Sequence, residues 1–187
     1  MTEPTVCSSE QTGRTAEVSP ALAARLVGGQ INLAEFVGLR RSTLYAIASV
    51  AYQLLNSGRV EQARRIYRGL VAADPYDSVF RCHLAAAHQR LGELDEAVSE
   101  YTAALRFNYA NVDALAGRSE ILLQRGRIAE AVQDLRAVLT HDPQGRRATT
   151  LRARAILQAL RAAAAQTTQA TQTMEQASTD ANIESGV

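Results

Sequence analysis

The feature that most constrains the fold is a 34-residue spacing that repeats along the middle of the chain. Gly58, Gly92 and Gly126 follow one another at this spacing, and an alanine stands five residues after each of them. The segments around them, SGRVEQA, LGELDEA and RGRIAEA, share one pattern of a turn followed by the start of a helix. Glycine suits such a turn because it adopts a left-handed backbone conformation at little cost. The spacing therefore predicts three copies of one helix-turn-helix unit.

A unit of 34 residues has the length of one tetratricopeptide repeat, in which helix A and helix B pack against each other. Small residues such as Ala51 and Ala85 let the two helices approach closely. Pro75 and Pro143 close the first and third units, and Tyr109 stands at the corresponding place in the second. The predicted fold is all-α, with three tandem tetratricopeptide repeats forming a helical solenoid. The predicted repeats occupy residues 44–77, 78–111 and 112–145.

The residues before the repeats divide into two parts. Residues 1–18 are polar and have no periodic apolar positions, so we expect them to be disordered. Ser19 and Pro20 fit the start of a helix, because Ser can cap it and Pro suits its first turn. Residues 19–43 are therefore predicted to form an N-terminal helical segment that docks on its own repeats or on a second copy of the chain. The candidates for a dimer contact are Leu22, Leu26, Leu33, Phe36 and Val37.

The residues after the repeats are predicted to end the solenoid. Ala153, Ile156 and Leu160 have the spacing of one apolar helix face. A helix here would cover the apolar surface that the last repeat otherwise exposes, so a capping helix is predicted at residues 146–165. Residues 166–187 are rich in Gln, Thr and Ser and are expected to form a disordered tail.

Charge and hydropathy argue against nucleic acid and membrane as partners. The formal net charge is +1 and all 20 basic residues are arginine. The arginines between Arg146 and Arg161 form one basic patch without interleaved aromatic residues, so a solvated helix is favoured there. No apolar run reaches the roughly 18 residues of a membrane span, and the N-terminus lacks the apolar core of a signal peptide. With only two cysteines, the protein is expected in the cytoplasm.

The sequence offers no arrangement typical of an enzyme or a metal site. It contains no nucleophile elbow, phosphate-binding loop or dinucleotide fingerprint. His83 and His88 are five residues apart, which places them on different faces of a helix, and Cys82 adds only one further ligand. We expect no catalysis, no metal and no cofactor, which leaves protein binding as the predicted function.

A binding groove is predicted on the side of the repeats that the three A helices line. Its side chains are mostly apolar, which suits an extended peptide with apolar anchors. Inward positions such as His83 and Asp113 offer no cationic clamp, so a receptor for a peptide carboxylate is disfavoured. Alternatively, Tyr45 and Tyr52 pack against the N-terminal helices. The predicted groove residues are Tyr45, Ala48, Tyr52, Leu55, Val79, Cys82, Ala86, Gln89, Asp113, Ala116, Glu120 and Leu123.

Residues 26–145 resemble a particular family of repeat proteins. The resemblance begins with LVGGQINLAEFVGL and continues through the first repeat, which ends on Asp74, Tyr76 and Asp77. The segments LAAAHQRLGELDEAVSEYTAAL and LLQRGRIAEAVQDL follow at matching spacing. These segments are similar to those of the class II chaperones of type III secretion systems, the SycD/LcrH type.

The resemblance implies a chaperone that keeps hydrophobic translocator proteins soluble before their secretion. It implies a groove that takes an extended segment from the N-terminal part of the translocator, and N-terminal helices that form a homodimer. Some relatives also bind a transcription activator. Ala48 departs from the family, whose members often have an aromatic residue early in the first helix A. The alternative is a generic tetratricopeptide adaptor, or a regulator of a transcription activator, that binds without a hydrophobic secreted client.

Overall fold

The computed structural model describes residues 19–184, with side chains through Thr173, and this part of the chain contains nine α-helices and no strand. The predicted all-α repeat fold is confirmed. The expected disorder of residues 1–18 falls outside the described residues, and so do residues 185–187. In chain order the helices are α1 (Pro20–Val27), α2 (Leu33–Phe36), α3 (Arg41–Asn56), α4 (Val60–Ala73), α5 (Ser78–Arg90), α6 (Leu94–Phe107), α7 (Val112–Gln124), α8 (Ile128–His141) and α9 (Ala148–Glu184).

Each repeat turns from helix A to helix B at a glycine in the left-handed conformation. Gly58, Gly92 and Gly126 have φ angles of 81°, 80° and 70°, as the repeat pattern predicts. Helix B starts two residues after each glycine and carries an acidic side chain in its first turn, where the helix dipole favours negative charge. The three helix pairs are therefore α3 with α4, α5 with α6, and α7 with α8.

Side-chain caps begin the second and third A helices. The Asp77 carboxylate accepts a hydrogen bond from the Val79 backbone N–H at 2.8 Å, and Asn111 accepts one from the Ala114 N–H at 3.1 Å. Asp77 also accepts a hydrogen bond of 2.8 Å from the Tyr45 hydroxyl on α3. The cap of α5 thereby fixes a side chain of the preceding helix A.

The helices pack through small residues, as the sequence predicts. The repeat alanines Ala51, Ala63, Ala85, Ala97 and Ala131 are all fully buried. Because these positions hold only a methyl group, the helices approach closely and larger rings can fill the spaces beside them. Tyrosines from helix B fill two of these spaces and reach toward the A helices.

The N-terminal helices pack lightly on the repeats. α1 buries none of its residues, and α2 buries Ala34 in the core formed by α3, α4 and α5. Asn32 and Glu35 form a capping box that starts α2. The expected N-terminal segment thus holds two short helices, and much of its apolar surface stays exposed.

The last helix starts on a polar cap. The Asp142 carboxylate accepts hydrogen bonds from the backbone N–H groups of Arg146 and Arg147 at 3.3 and 3.2 Å and from the Thr150 hydroxyl at 2.6 Å. The Thr150 hydrogen bond is the main cause that lowers the pKa of Asp142 below its ordinary value. This cap directs α9 back across α7 and α8, against which Ala153 and Leu157 are buried.

The length of α9 differs from the prediction. The sequence predicts a capping helix at residues 146–165 and a disordered tail at residues 166–187. The helix begins at Ala148 and continues to Glu184, so the predicted C-terminal end of the helix is wrong. After Leu160 the described side chains are all exposed. The extension therefore depends on intrinsic helix propensity, because it is rich in Ala and Gln and contains neither Gly nor Pro. Its polar composition is also typical of a disordered segment, and for that reason the sequence predicts a disordered tail there.

Candidate functional site

The three A helices α3, α5 and α7 lie next to one another and line a groove. Two cavities open along it, one between the first two repeats and one between the second and third. We call them the first cavity and the second cavity. They differ in chemistry, because the first is walled mainly by apolar atoms and the second by polar side chains.

The first cavity has a volume of about 400 Å³. Most of its wall is aromatic, and Tyr67 from helix α4 forms its floor beside side chains from α3 and α5. The Tyr67 hydroxyl donates to the Ala48 carbonyl at 3.1 Å, and burial raises the pKa of Tyr67 above its ordinary value. The lining residues are Tyr45, Ala48, Ser49, Tyr52, Tyr67, Val79 and His83.

Aromatic contacts hold this wall in place. The His83 ring lies between Tyr52 and Tyr67, with ring centroids 5.4 and 5.3 Å away, and it stacks on Tyr67 at an interplanar angle of 26°. The Tyr45 ring packs on Phe80 at 5.0 Å, and burial is the main cause that raises its pKa. A wall of this kind can bury an apolar side chain without rearranging.

The second cavity has a volume of about 640 Å³. A chain of polar contacts crosses it: the Tyr101 hydroxyl donates to Gln89 Oε1 at 2.8 Å, and Gln89 Nε2 donates to Glu120 Oε2 at 3.3 Å. Arg152 of α9 lies 3.8 Å from the Glu120 carboxylate. Nearby, Arg147, the residue immediately before α9, pairs with Asp113 at 2.8 Å. Helix α9 therefore forms one wall of the groove and neutralises the carboxylates of α7.

The structure places eight of the twelve predicted groove residues in the cavity walls. The first cavity includes four of them and the second cavity the other four. The eight are Tyr45, Ala48, Tyr52 and Val79 in the first, and Ala86, Gln89, Asp113 and Glu120 in the second.

The other four predicted groove residues lie in the core instead. Leu55, Cys82 and Ala116 are buried, and Leu123 packs against the core between α8 and α9. The prediction that they line the groove is wrong. Along each helix A the lining side chains follow one another at a step of four residues and then a step of three. These four positions fall off that line and face a neighbouring helix. Burial raises the pKa of the Cys82 thiol to about 12, so it stays an unreactive apolar side chain.

Several wall residues were absent from the predicted list. Ser49, His83 and Gly117 share one position in the repeat; the sequence already indicates that His83 faces inward, and the 34-residue spacing leads from it to the other two. Thr149 and Arg152 could not be found in this way, because only the packing of α9 on α7 brings them to the groove.

Neither a metal site nor a membrane-spanning helix is found in the described part of the chain. No three side chains of His, Cys, Asp or Glu in that part come close enough together to hold an ion. None of its helices combines the length and the apolar character needed to cross a bilayer.

Comparison with known proteins decides the family. A model of the tetratricopeptide repeat matches residues 92–155, and a model of the bacterial transcriptional activator domain matches residues 18–107. Low calcium response locus protein H of Yersinia pestis is 30% identical over 126 residues, which cover 67% of this chain and 74% of the relative. The chain belongs to the low calcium response locus protein H family.

Solved structures extend this family assignment to the fold. The Yersinia enterocolitica translocator chaperone SycD, in complex with a peptide of the translocator YopD, is 27% identical with a TM-score of 0.59, covering 65% of this chain and 95% of SycD. An alternative dimer of SycD is 27% identical with a TM-score of 0.60, covering 65% of this chain and 94% of SycD. The resemblance to type III secretion chaperones that the sequence shows is confirmed.

Proposed function

We propose that the protein is a cytoplasmic chaperone that binds a hydrophobic translocator of a type III secretion system and keeps it soluble without catalysis. The observation that supports this most is the first cavity, an aromatic-walled cavity in the groove of a chain whose relative SycD holds a translocator peptide. An extended segment of the translocator lies along the three A helices and buries an apolar side chain between Tyr45 and Tyr52.

The contrast between the two cavities supports an extended client that is apolar at one end and polar at the other. In the first cavity an apolar anchor leaves water for a wall of rings, which contributes about 1.5 to 3 kcal/mol for one large side chain. In the second, the side chains of Gln89, Glu120 and Arg152 offer donors and acceptors to a polar segment or to the peptide backbone.

Co-expression tests the proposal. The tagged chain is produced together with the translocator proteins encoded in the same genome, and the translocator is measured in the soluble fraction and in the eluate with the chain. We expect the translocator to be soluble and bound only when the chain is present. A translocator that stays insoluble, or that is soluble but fails to elute with the chain, would refute the proposal.

A matched pair of variants tests the site. Tyr52 is 49% exposed in the first cavity, and Tyr109 is 76% exposed on a loop outside the groove. Tyr52→Glu places a charge where the apolar anchor binds, so we expect capture of the translocator to be lost while the helical circular dichroism is kept. Tyr109→Glu makes the same change away from the groove and should capture the translocator like the wild type. Equal capture by both variants would rule out the groove as the binding site.

We also propose that a second copy of the chain covers its N-terminal apolar face. The predicted dimer candidates Leu33 and Val37 are exposed, and Leu22, Leu26 and Phe36 are only partly buried by the described residues. SycD has been solved as an alternative dimer, which supports the association of two copies.

A regulatory role is the second candidate. The match of residues 18–107 to the bacterial transcriptional activator domain favours it. If it is correct, a transcription activator from the same genome elutes with the chain in the absence of any translocator. If activators elute only in the presence of translocator, or not at all, the chaperone role alone is supported.

A further inference from the structure

His83 is the one side chain with ring nitrogens among the residues that line the first cavity. The remaining wall consists mainly of tyrosine rings and aliphatic groups. Two of the tyrosine hydroxyls are already used within the protein, since Tyr45 donates to Asp77 and Tyr67 donates to the Ala48 carbonyl. The hydroxyls of Ser49 and Tyr52 belong to exposed residues that water reaches, so the partly buried imidazole is the enclosed group of this wall that has no hydrogen-bond partner among the described residues.

Packing fixes the position of the imidazole. It lies between the rings of Tyr52 and Tyr67 at 5.4 and 5.3 Å, so it cannot swing out of the cavity without losing both contacts. Among the described residues, neither ring nitrogen has a hydrogen-bond partner, whereas Nδ1 of His88 lies against the Glu93 carboxylate. An apolar client that covered these nitrogens without bonding them would leave buried polar atoms unpaired, which disfavours its binding.

The position of His83 in the repeat makes it unique along the groove. The same position holds Ser49 in the first repeat and Gly117 in the third, so neither neighbouring A helix presents a ring there. At Gly117 the space is taken by the Tyr101 ring from below. A client that bonds an imidazole can therefore do so at one place only, which defines how it is aligned along the three helices.

We propose that His83 is the hydrogen-bonding anchor of the groove, and that its neutral imidazole bonds the backbone of the extended translocator segment beside the apolar residue buried in the first cavity. A neutral imidazole offers one donor and one acceptor, and an extended backbone supplies both partners whatever its side chains are. Because the neighbouring apolar side chain must enter the first cavity at the same time, the bond and the buried side chain together set the register of the client. The inference rests on the proposed function and adds to it the residue that aligns the client.

The charge state of the ring gives a pH dependence. Burial is the main cause that lowers the pKa of His83, and the charges of Asp77 and Asp113 oppose it. A bound client buries the ring further and lowers its pKa again. Affinity is then full above the pKa of the free protein and falls as the pH decreases through it, by at most about tenfold per pH unit. The titratable and charged groups around the ring are Tyr45 and Tyr52 on α3, Tyr67 on α4, Asp77 at the cap of α5, Cys82 on α5, Asp113 on α7 and its partner Arg147 beside α9.

Binding of two fluorescein-labelled probes at pH 7.5 and 5.5 tests the proposal. The probes are the YopD peptide that SycD holds and the translocator fragment recovered from the co-expression experiment. His83→Leu keeps apolar bulk but removes both nitrogens, so we expect the dissociation constant at pH 7.5 to rise about tenfold, the value of one hydrogen bond. His83→Asn keeps a donor and an acceptor but does not titrate. It should bind close to wild type at pH 7.5, and its affinity should not fall with decreasing pH through the charging of residue 83, as the wild-type affinity does.

His141→Asn is the matched control, because His141 packs on Tyr109 outside the groove. It should follow the wild type at both pH values, and circular dichroism at both should show that every variant is folded. Wild-type affinity from His83→Leu at pH 7.5, or the same change in affinity between pH 7.5 and 5.5 for His83→Asn as for the wild type, overturns the role of His83. If the wild-type protein itself binds neither probe, the proposed function fails, and the anchor with it.

Discussion

Gly117 is a position in the groove where the fold leaves no room for a side chain. A Cβ atom there would overlap the Cζ atom and the hydroxyl oxygen of Tyr101. The Tyr101 ring is buried and its hydroxyl is bonded to Gln89, so it cannot move aside freely. We expect Gly117→Ala to lower the free energy of unfolding by about 1 to 3 kcal/mol, the usual cost of overpacking. Urea denaturation measures it.

Gly69 is the matched control for this substitution. It lies within α4, and a Cβ atom there would meet no atom within 4 Å. Gly69→Ala should therefore raise the free energy of unfolding, by up to about 1 kcal/mol, because alanine favours a helix. If Gly117→Ala is as stable as the wild type, the close contact between α7 and Tyr101 does not exist in solution.

At the same scale, the sequence predicts which helix lines the groove better than which side chain does. Tyr45 and Tyr52 line the first cavity as predicted, because the repeat length sets the rotation of each helix A. Leu55 and Cys82 were assigned to the groove and are buried, because a small error in that rotation moves a side chain from the surface to the core. The Tyr101 contact with Gly117 depends on the depth of packing, which no spacing reveals.

Helix α9 has two parts that differ in what stabilises them. Up to Leu160 it packs on α7 and α8, and beyond that its described side chains are exposed. Thr167→Pro breaks the exposed part, so we expect a loss of helical circular dichroism with a change below about 0.5 kcal/mol in the free energy of unfolding. Both quantities come from one urea titration followed at 222 nm.

Ala155→Pro is the comparison in the docked part of the same helix. Ala155 is exposed too, so the two substitutions differ in the packing around them and not in burial. A proline there removes a backbone hydrogen bond beside Ala153 and Leu157, and we expect a cost of about 3 kcal/mol. A comparable loss of stability from Thr167→Pro would mean that the distal helix is part of the folded core.

The sequence does not predict where α9 ends, and the reason lies in what stabilises a helix. A helix that packs on a neighbour carries an apolar period, and the prediction stopped where that period stops. A helix that continues into solvent needs only residues that tolerate it, and such residues also occur in disordered segments. Composition alone does not separate the two.

At the scale of the whole molecule, the repeat length predicts the stack of helix pairs, but not how its two ends are covered. At the C-terminal end, α9 covers α7 and α8 and also contributes Arg152 to the groove. At the other end, Ile47 and Val50 of α3 are 40% and 53% exposed. Leu84, which has the position of Val50 in the second repeat, is buried. Leu115, which has the position of Ile47 in the third repeat, is buried as well.

This uncovered face predicts the state of association. In the described residues neither α1 nor α2 covers Ile47 and Val50, and Val27 and Val37 nearby in sequence are exposed as well. Exposed apolar side chains at the end of a repeat stack favour a partner, and a second copy offers a matching surface. We therefore expect the wild-type mass from light scattering during gel filtration to be that of a dimer.

Val50→Glu tests the face directly. Burying a carboxylate on both sides of a two-fold contact costs several kcal/mol, so the variant should elute as a monomer at micromolar concentration. Leu151→Glu is the control, because Leu151 is 54% exposed at the opposite end of the stack, and it should stay dimeric. A dimer that survives Val50→Glu and dissociates with Leu151→Glu would place the contact at the C-terminal end, where it would compete with the client for the wall formed by α9.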